Sequence, residues 1–455
     1  MSNCMNDYKN CKYNISNEYK LSRYNVYFKY SDFNLLYNTL HDSLLKINDK
    51  TYKYIKKNGE NLKKIDDEKK NILIDNGFII NKGINEINFV KDKYLKSVYD
   101  NKSYVLIINP TMDCNFNCWY CYENHKKSKM SPETIQNVKK FIKNLITKKD
   151  ISNLIISWFG GEPLLYNDII YEISKEAKKV ISNYDNKILL NDITTNGFLI
   201  NEKIIEKFKE CNFKRFQITL DGYKTKHNKN RKTKNGENTY NTIIKNIKSL
   251  INNDFKVCLR INYTEEILED GDIEKIANDF KDIDKKNLEI DLQKVWQIEH
   301  TKKMYDLFDK SIDDIRNINK NINITQSYQL HPNQATRCYG DKMNQAVVNY
   351  DGYVFKCTNV KFDKKNSIGK LTDSGIINWD ENKMLKRKRF IPPFVKFEKC
   401  IACKLLPLCL GPCSEMFLRK GDKEDFIENY CPKGKSPKFD LKNLVKNQYY
   451  EKINN

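Results

Sequence analysis

The stretch Tyr104–Glu123, YVLIINPTMDCNFNCWYCYE, decides the reading of the whole chain. Its first six residues, Tyr104–Asn109, are largely aromatic and β-branched and predict a strand. Cys114, Cys118 and Cys121 follow directly, as C-x3-C-x2-C on a loop. Outward from this stretch, strand and helix alternate. Further strands are expected at Leu154–Phe159, Ile188–Thr194, Phe213–Leu220, Lys256–Tyr263 and Leu288–Trp296. Helical spacing of apolar residues marks Pro132–Ile146 after a Ser131 cap, Leu165–Ile181, Glu202–Cys211, Tyr240–Ile251 and Ile273–Phe280. Strands returning roughly every 30 to 50 residues with helices between them imply an α/β parallel repeat, either an open sheet or a partial barrel.

Two other zones flank this repeat. From Asn25 to Asn88 the pattern is short strands (NVYFKYS, FNLLYN), a Lys/Asp-rich helical stretch, and a strand at Phe78–Ile80 after the Asn76-Gly77 turn. From about His331 the chain is rich in Cys, Gly and Pro with little periodicity, too loop-like for a large apolar core, and metal is the expected source of its order. The implied domains are 1–102, 103–325 and 326–455.

Composition narrows the class. Of 455 residues, 80 are Lys or Arg and 59 Asp or Glu, a formal charge of +21, and 40% are hydrophobic, enough for a sizeable core. No apolar run reaches membrane-spanning length, and Met1–Asn10 lacks the apolar core of a signal peptide, so a soluble cytoplasmic protein is expected. In a reducing compartment, 14 cysteines point to metal, cluster or redox chemistry rather than disulfides. Lys is spread along the entire chain, and the densest basic run, Met384–Phe390, is short; a nucleic-acid partner is therefore unlikely on charge.

The chemistry-bearing residues fall after successive strands, where βα-repeats assemble their sites. Three thiols on one loop can hold three irons of a cubane and leave the fourth open. The rival metal, zinc, usually brings two C-x2-C pairs, and here a fourth local ligand is missing. After the second strand stands Gly160-Gly161-Glu162-Pro163: glycines at a strand end let backbone carbonyls approach a ligand, and Glu162 can accept from an ammonium. Thr195-Asn196-Gly197 follows the third strand, and Thr219-Leu220-Asp221-Gly222 ends the fourth, with His227 and Arg231 downstream. Thr219 offers a hydroxyl for a ribose and Arg231 a cation for a carboxylate. Arg260 and Asn262, two apart on the fifth strand, share a face turned to the ligand cavity.

These motifs together resemble the radical S-adenosylmethionine enzymes. That family's signature is C-x3-C-x2-C with an aromatic before the last cysteine, here Tyr120, and the resemblance extends through its GGEP, TNG, S-[IL]-D-G and H-x3-R segments. It implies a partial (β/α)6 TIM-like barrel in which Cys114, Cys118 and Cys121 bind a 4Fe–4S cluster. The amino and carboxylate groups of S-adenosylmethionine would chelate the open iron, and Tyr120, Gly160, Gly161, Glu162, Thr195, Asn196, Thr219, Arg231 and Arg260 would bind that cofactor.

The third zone, with Cys338, Cys357, Cys400, Cys403, Cys409, Cys413 and Cys431, is similar to the SPASM extension of such enzymes, which holds auxiliary 4Fe–4S clusters. The resemblance assigns Cys400, Cys403, Cys409 and Cys431 to one cluster, and Cys338, Cys357 and Cys413 to another. Three clusters in all are implied. No cysteine lies between Cys338 and Cys357, which suggests an open iron for a substrate thiolate; a non-cysteine ligand or a partner is the other way to fill it. A zinc-bound structural domain is the rival for this zone. Cys211 and Cys258 read as small buried hydrophobes, and Cys4 and Cys11 have no assigned task.

The first hundred residues resemble small leader-binding domains of peptide-modifying enzymes, which would capture a precursor by strand addition, with the lysines favouring an acidic leader; a purely structural extension is the alternative. The leading function is a peptide maturase that installs a cross-link, a thioether above all, on a ribosomally made precursor, reduced by a donor such as flavodoxin or ferredoxin. The second is an anaerobic sulfatase-maturating, formylglycine-forming enzyme. Relatives with that activity carry an aspartate base immediately after the G-x4-C cysteine, where this chain has Thr358. The third is a cluster- or zinc-bearing nucleic-acid-binding protein, which leaves GGEP, TNG and LDG unexplained. No general acid or base is nominated.

Overall fold

The computed structural model describes residues 18–29, 33–57, 67–283, 285–295, 297–298, 301–318, 323–325, 338–421, 426–431 and 445. The chain forms two compact units, Met1–Val98 with Leu330–Arg337 and Phe390–Asn455, and Tyr99–Gln329 with Cys338–Arg389. Among the described residues no helix is long and apolar enough to cross a membrane.

In the first unit β1 (Tyr19–Leu21) pairs antiparallel with β5 (Ile79–Asn81), and β2 (Asn25–Lys29), β3 (Asn34–Asn38) and β4 (Ser43–Ile47) make an antiparallel meander. Helices α1 (Asp49–Lys57), α2 (Asp67–Asp75) and α3 (Glu86–Val98) complete its amino-terminal part. Alternation on β3 sends Leu36 to one face, with Ile55, Leu73 and Phe78, and Leu35 and Tyr37 to the other, with Leu405, Leu408 and Val445. The meander is thus covered on both faces.

The second unit is built on parallel strands β6 (Ser103–Ile108), β7 (Asn153–Trp158), β8 (Ile188–Thr195), β9 (Phe213–Leu220), β10 (Lys256–Tyr263), β11 (Leu288–Lys294) and the short β12 (Asn323–Thr325). Each expected strand is found within two residues at either end; the proposed end at Trp296 lies outside the described residues. Between the strands run α4 (Pro132–Lys148), α5 (Asn167–Ile181), α6 (Glu202–Glu210), α7 (Lys224–Asn230), α8 (Tyr240–Asn252), α9 (Glu265–Glu269), α10 (Asp272–Asp279) and α11 (Lys302–Ile318). Ser131 caps α4 by accepting from Thr134 N, a contact worth about 1 kcal/mol. Apolar residues at helical spacing, such as Ile135, Val138, Ile142 and Leu145 on α4 and Ile243, Ile247 and Leu250 on α8, bury against one face of the sheet.

The cysteine-rich zone does not stay apart from this sheet. Strand β13 (Gln345–Val348) pairs parallel with β6, and β14 (Tyr353–Phe355), β15 (Gly369–Leu371) and β16 (Ile377–Trp379) continue antiparallel, giving eleven strands among the described residues. Its first part is therefore sheet, where the sequence suggested loops, because strands of three or four residues are too short to register as a period. Helix α12 (Glu381–Arg389) closes the second unit. Short helices α13 (Glu398–Ile401), α14 (Leu406–Cys409), α15 (Ser414–Lys420) and α16 (Phe426–Tyr430) belong to the first.

Candidate active site at the strand ends

Packing fixes which face of the barrel strands is free for chemistry. Phe216, Ile218 and Leu220 of β9, Val257, Leu259 and Ile261 of β10, and Leu288, Ile290 and Leu292 of β11 lie in the core under the helices. Their alternates, Arg215, Gln217 and Thr219, Cys258, Arg260 and Asn262, and Glu289, Asp291 and Gln293, face the opposite side. Thr219, Arg260 and Asp291 are direct register partners across three strands. Thr219 is half-buried there.

The loop after β6 carries the three thiols. Cys114 is buried, Cys118 half-buried and Cys121 exposed, none in a disulfide. The loop is tied to the segment after α7: Phe116 and Thr233 form an antiparallel bridge, Lys234 N donates to Asn115 O at 2.8 Å, and Lys234 Nζ pairs with Asp113 at 2.9 Å. Its other flank rests on GGEP. Gly161 N donates to Thr111 O and Glu162 N to Asp113 O. A Cβ on Gly160 would lie 2.2 Å from Thr111 O, and one on Gly161 2.3 Å from Asp113 O. Both glycines are thus required for two backbones to touch.

Glu162 is fully buried. Its Oε1 accepts from Leu164 N at 2.9 Å and Thr195 Oγ1 at 2.7 Å, and its Oε2 from Asn196 N at 2.7 Å. Burial pushes its carboxyl up, against these three bonds and the Arg231 charge. The structure thereby gives Glu162 a role the sequence did not suggest, joining GGEP to TNG. Asn196 Nδ2 then reaches back to Asn115 Oδ1 at 2.8 Å, which closes a ring through the cysteine loop.

The other predicted residues converge on Tyr120. Its hydroxyl donates to Asp221 Oδ1 at 2.9 Å and accepts from Arg231 Nη1 at 2.7 Å. Asn262 Nδ2 donates to Asp221 Oδ1 at 3.1 Å, and Arg260 Nε to Asn262 Oδ1 at 3.0 Å. His227 is buried and held neutral by that burial and by Arg231; its Nδ1 accepts from Asp221 N. Sequence reasoning passed over Asp221 as part of a glycine turn and Asn115 and His125 altogether. His125 Nε2 stands 3.2 Å from Cys121 Sγ.

The second pair of barrel-unit thiols is also placed. Tyr339 hydroxyl lies 2.6 Å from Thr358 Oγ1 and within electrostatic reach of Cys357 and Cys338. Tyr122, beside Cys121, feels Tyr339 and Arg260 in turn. Buried Lys356 donates to the carbonyls of Lys342 and Gln345, which fixes the Cys357 hairpin against the turn after Cys338. In the other unit Cys400 lies within electrostatic reach of Cys409, Cys431 and Cys403, beside the ring cluster of Phe397, Phe417 and Phe426. Cys413 stands immediately before α15, without a side-chain capping bond, and is exposed. Cys211 sits in the apolar core as expected, and Cys258 is likewise buried, at 2% exposure, with Arg215, Glu289 and Asp291 within electrostatic reach; Cys4 and Cys11 lie outside the described residues.

Cys118 lies within electrostatic reach of both Cys114 and Cys121, and three thiols on one loop are the donor chemistry an iron–sulfur cluster takes. Among the described residues no three His, Cys, Asp or Glu side chains converge on one point as a single ion requires. Burial, then the Glu162 charge, pushes the Cys114 thiol up to about 12, so a thiolate there needs a strongly positive partner.

Three thiols after the first strand of a parallel sheet and a polar ring at the next strand ends agree with the expected radical S-adenosylmethionine domain, and residues 108–295 match the Radical SAM superfamily. The chain is 25% identical over 351 residues to the Cysteine-type anaerobic sulfatase-maturating enzyme of Clostridium perfringens (strain 13 / Type A), covering 72% of this chain and 93% of that one. It is 24% identical over 426 residues to the Radical SAM cyclopropyl synthase TigE of Paramaledivibacter caminithermalis, covering 83% and 85%. A solved structure, native anSMEcpe with bound AdoMet and Cp18Cys peptide, superposes with a TM-score of 0.55 at 22% identity, over 76% of this chain and 99% of that one. At that identity the likeness is one of fold.

Proposed function

We propose that this protein is a peptide maturase that uses a 5′-deoxyadenosyl radical to cross-link a ribosomally made precursor, forming a thioether from a cysteine sulfur to a carbon of a neighbouring residue. The observation that carries the reading is proximity within one unit: Tyr122, next to Cys121, lies within electrostatic reach of Tyr339, and Tyr339 within reach of Cys357 and Cys338, so the radical-generating loop and a second thiol site are neighbours. Cys114, Cys118 and Cys121 would hold the first cluster, whose reduction supplies the radical from S-adenosylmethionine. Cys338 and Cys357 would hold an auxiliary cluster open to a substrate thiolate. Cys400, Cys403, Cys409 and Cys431 would hold a third. A one-electron donor such as flavodoxin or ferredoxin would feed them.

The relatives favour a peptide substrate. One solved neighbour carries a bound peptide, and the two full-length relatives are named for sulfatase maturation and for cyclopropyl synthesis. The formylglycine reading is weaker, because the residue after Cys357 is Thr358, held by Tyr339, and not a carboxylate. The β2–β3–β4 meander, with edges at β2 and β4, would bind the leader by strand addition.

The test is reduced protein with S-adenosylmethionine and a cysteine-bearing synthetic precursor, read by mass spectrometry beside the same peptide with alanine for cysteine. Thioether formation removes two hydrogens and keeps the sulfur. Formylglycine formation removes the sulfur. Equal modification of the cysteine-free peptide would contradict the thiolate-binding role.

A further inference from the structure

The turn that follows the third cysteine folds back onto it. Ser128 anchors this turn to the strand end: its carbonyl accepts from Thr111 Oγ1 at 2.7 Å, and its Oγ from Met112 N at 2.9 Å. Between Cys121 and that anchor the chain brings His125 Nε2 to 3.2 Å from Cys121 Sγ. The imidazole is half-buried, and the charges it feels are Asp113 and Lys234, which pair with each other at 2.9 Å. The Glu123 amide lies within hydrogen-bonding reach of the same sulfur. At Cys114 the comparable donor is a backbone amide, Phe116 N at 3.4 Å. The side-chain donor at Cys121 is therefore a contact that one substitution can remove while the main chain stays as it is.

We propose that His125 donates its Nε2–H to the Cys121 sulfur and thereby raises the reduction potential of the cluster held by Cys114, Cys118 and Cys121. A ligating thiolate carries no proton, so with the cluster in place the imidazole nitrogen is the donor and the sulfur the acceptor. Reduction adds negative charge to the cluster and its sulfur ligands. An N–H aimed at one of those sulfurs therefore stabilises the reduced form more than the oxidised form, and the potential rises. A higher potential lets a donor of moderate strength, such as a reduced flavodoxin, deliver the single electron. His125 touches no reacting atom; it is a positioning residue that acts through Cys121. The proposal rests on the cluster assignment and is independent of the peptide substrate and of the bond formed.

The experiment is a reductive titration of the anaerobically reconstituted protein followed by electron paramagnetic resonance. The signal to read is the one missing from the variant with Cys114, Cys118 and Cys121 all changed to Ala. His125→Leu should shift the reduction equilibrium about tenfold toward the oxidised cluster, a potential lower by ~59 mV for one electron, at wild-type iron content. His125→Gln keeps a side-chain N–H and should recover most of that shift. An unchanged potential in His125→Leu, or the same drop in both variants, would overturn the assignment. If His125→Leu fails to load iron, the wild type alone decides: labelled with nitrogen-15 histidine, it should show a weak nitrogen coupling on that signal. No coupling, or one as strong as direct iron–nitrogen ligation gives, would overturn it equally. Failure of the cluster assignment looks different, because the wild type and the triple variant then give the same spectrum, and the proposal falls with it.

Discussion

Thr195 Oγ1 donates to Glu162 Oε1 at 2.7 Å inside the protein, with Glu162 at 0% exposure. This bond joins the loops after the second and third barrel strands, and Asn196 N completes the junction on Oε2. In Glu162→Gln an amide nitrogen would replace one of the two oxygens and face a donor, either the Asn196 N–H or the Leu164 and Thr195 donors. The variant should lose roughly 1–3 kcal/mol of stability in denaturant titration. It should also release 5′-deoxyadenosine far more slowly, as the loop carrying Cys114 rests on the same segment.

Gly161→Ala tests that support more locally. The new Cβ would meet the backbone carbonyls of Asp113 and Met112, which cannot yield as a side-chain tip would. The expected outcome is a folded protein that reconstitutes with about four fewer irons per chain, read by iron and sulfide assay. Full iron loading would refute the contact.

The first unit has its own pH signature. Burial, reinforced by Lys93, depresses His41 from 6.5 to about 4. Between those values the unfolded chain binds a proton that the folded unit does not, so this contribution is full above 6.5 and falls as pH drops through the window. His41→Gln should flatten the loss of stability between neutral pH and about pH 5, measured by urea unfolding at both.

Cys338→Ala with Cys357→Ala addresses the auxiliary site. The wild type should carry about twelve irons and the double variant about eight. Deoxyadenosine release should persist, because the first cluster lies on another loop, while peptide cross-linking should stop. Near-stoichiometric zinc with little iron would reject the cluster assignment.

Much of this was legible in the sequence, for identifiable reasons. The barrel strands β6 to β11 and their helices are long enough for two-fold and 3.6-fold patterns to register, and Ser131 and Asn201 announce helix starts. The Tyr120 network was not legible, since Tyr120, Asp221, Arg231 and Asn262 lie up to 142 positions apart and meet only through sheet register. Strands β13 to β16 were missed for their brevity, and the close approach behind Gly160 and Gly161 depends on a loop nearly 50 residues upstream.

The most direct test of the central claim is release of 5′-deoxyadenosine from S-adenosylmethionine by the anaerobically reconstituted, reduced protein. The wild type should produce it, and the variant with Cys114, Cys118 and Cys121 all changed to Ala should produce none while losing about four irons. Equal release by both proteins, or none from an iron-loaded wild type, would contradict the account.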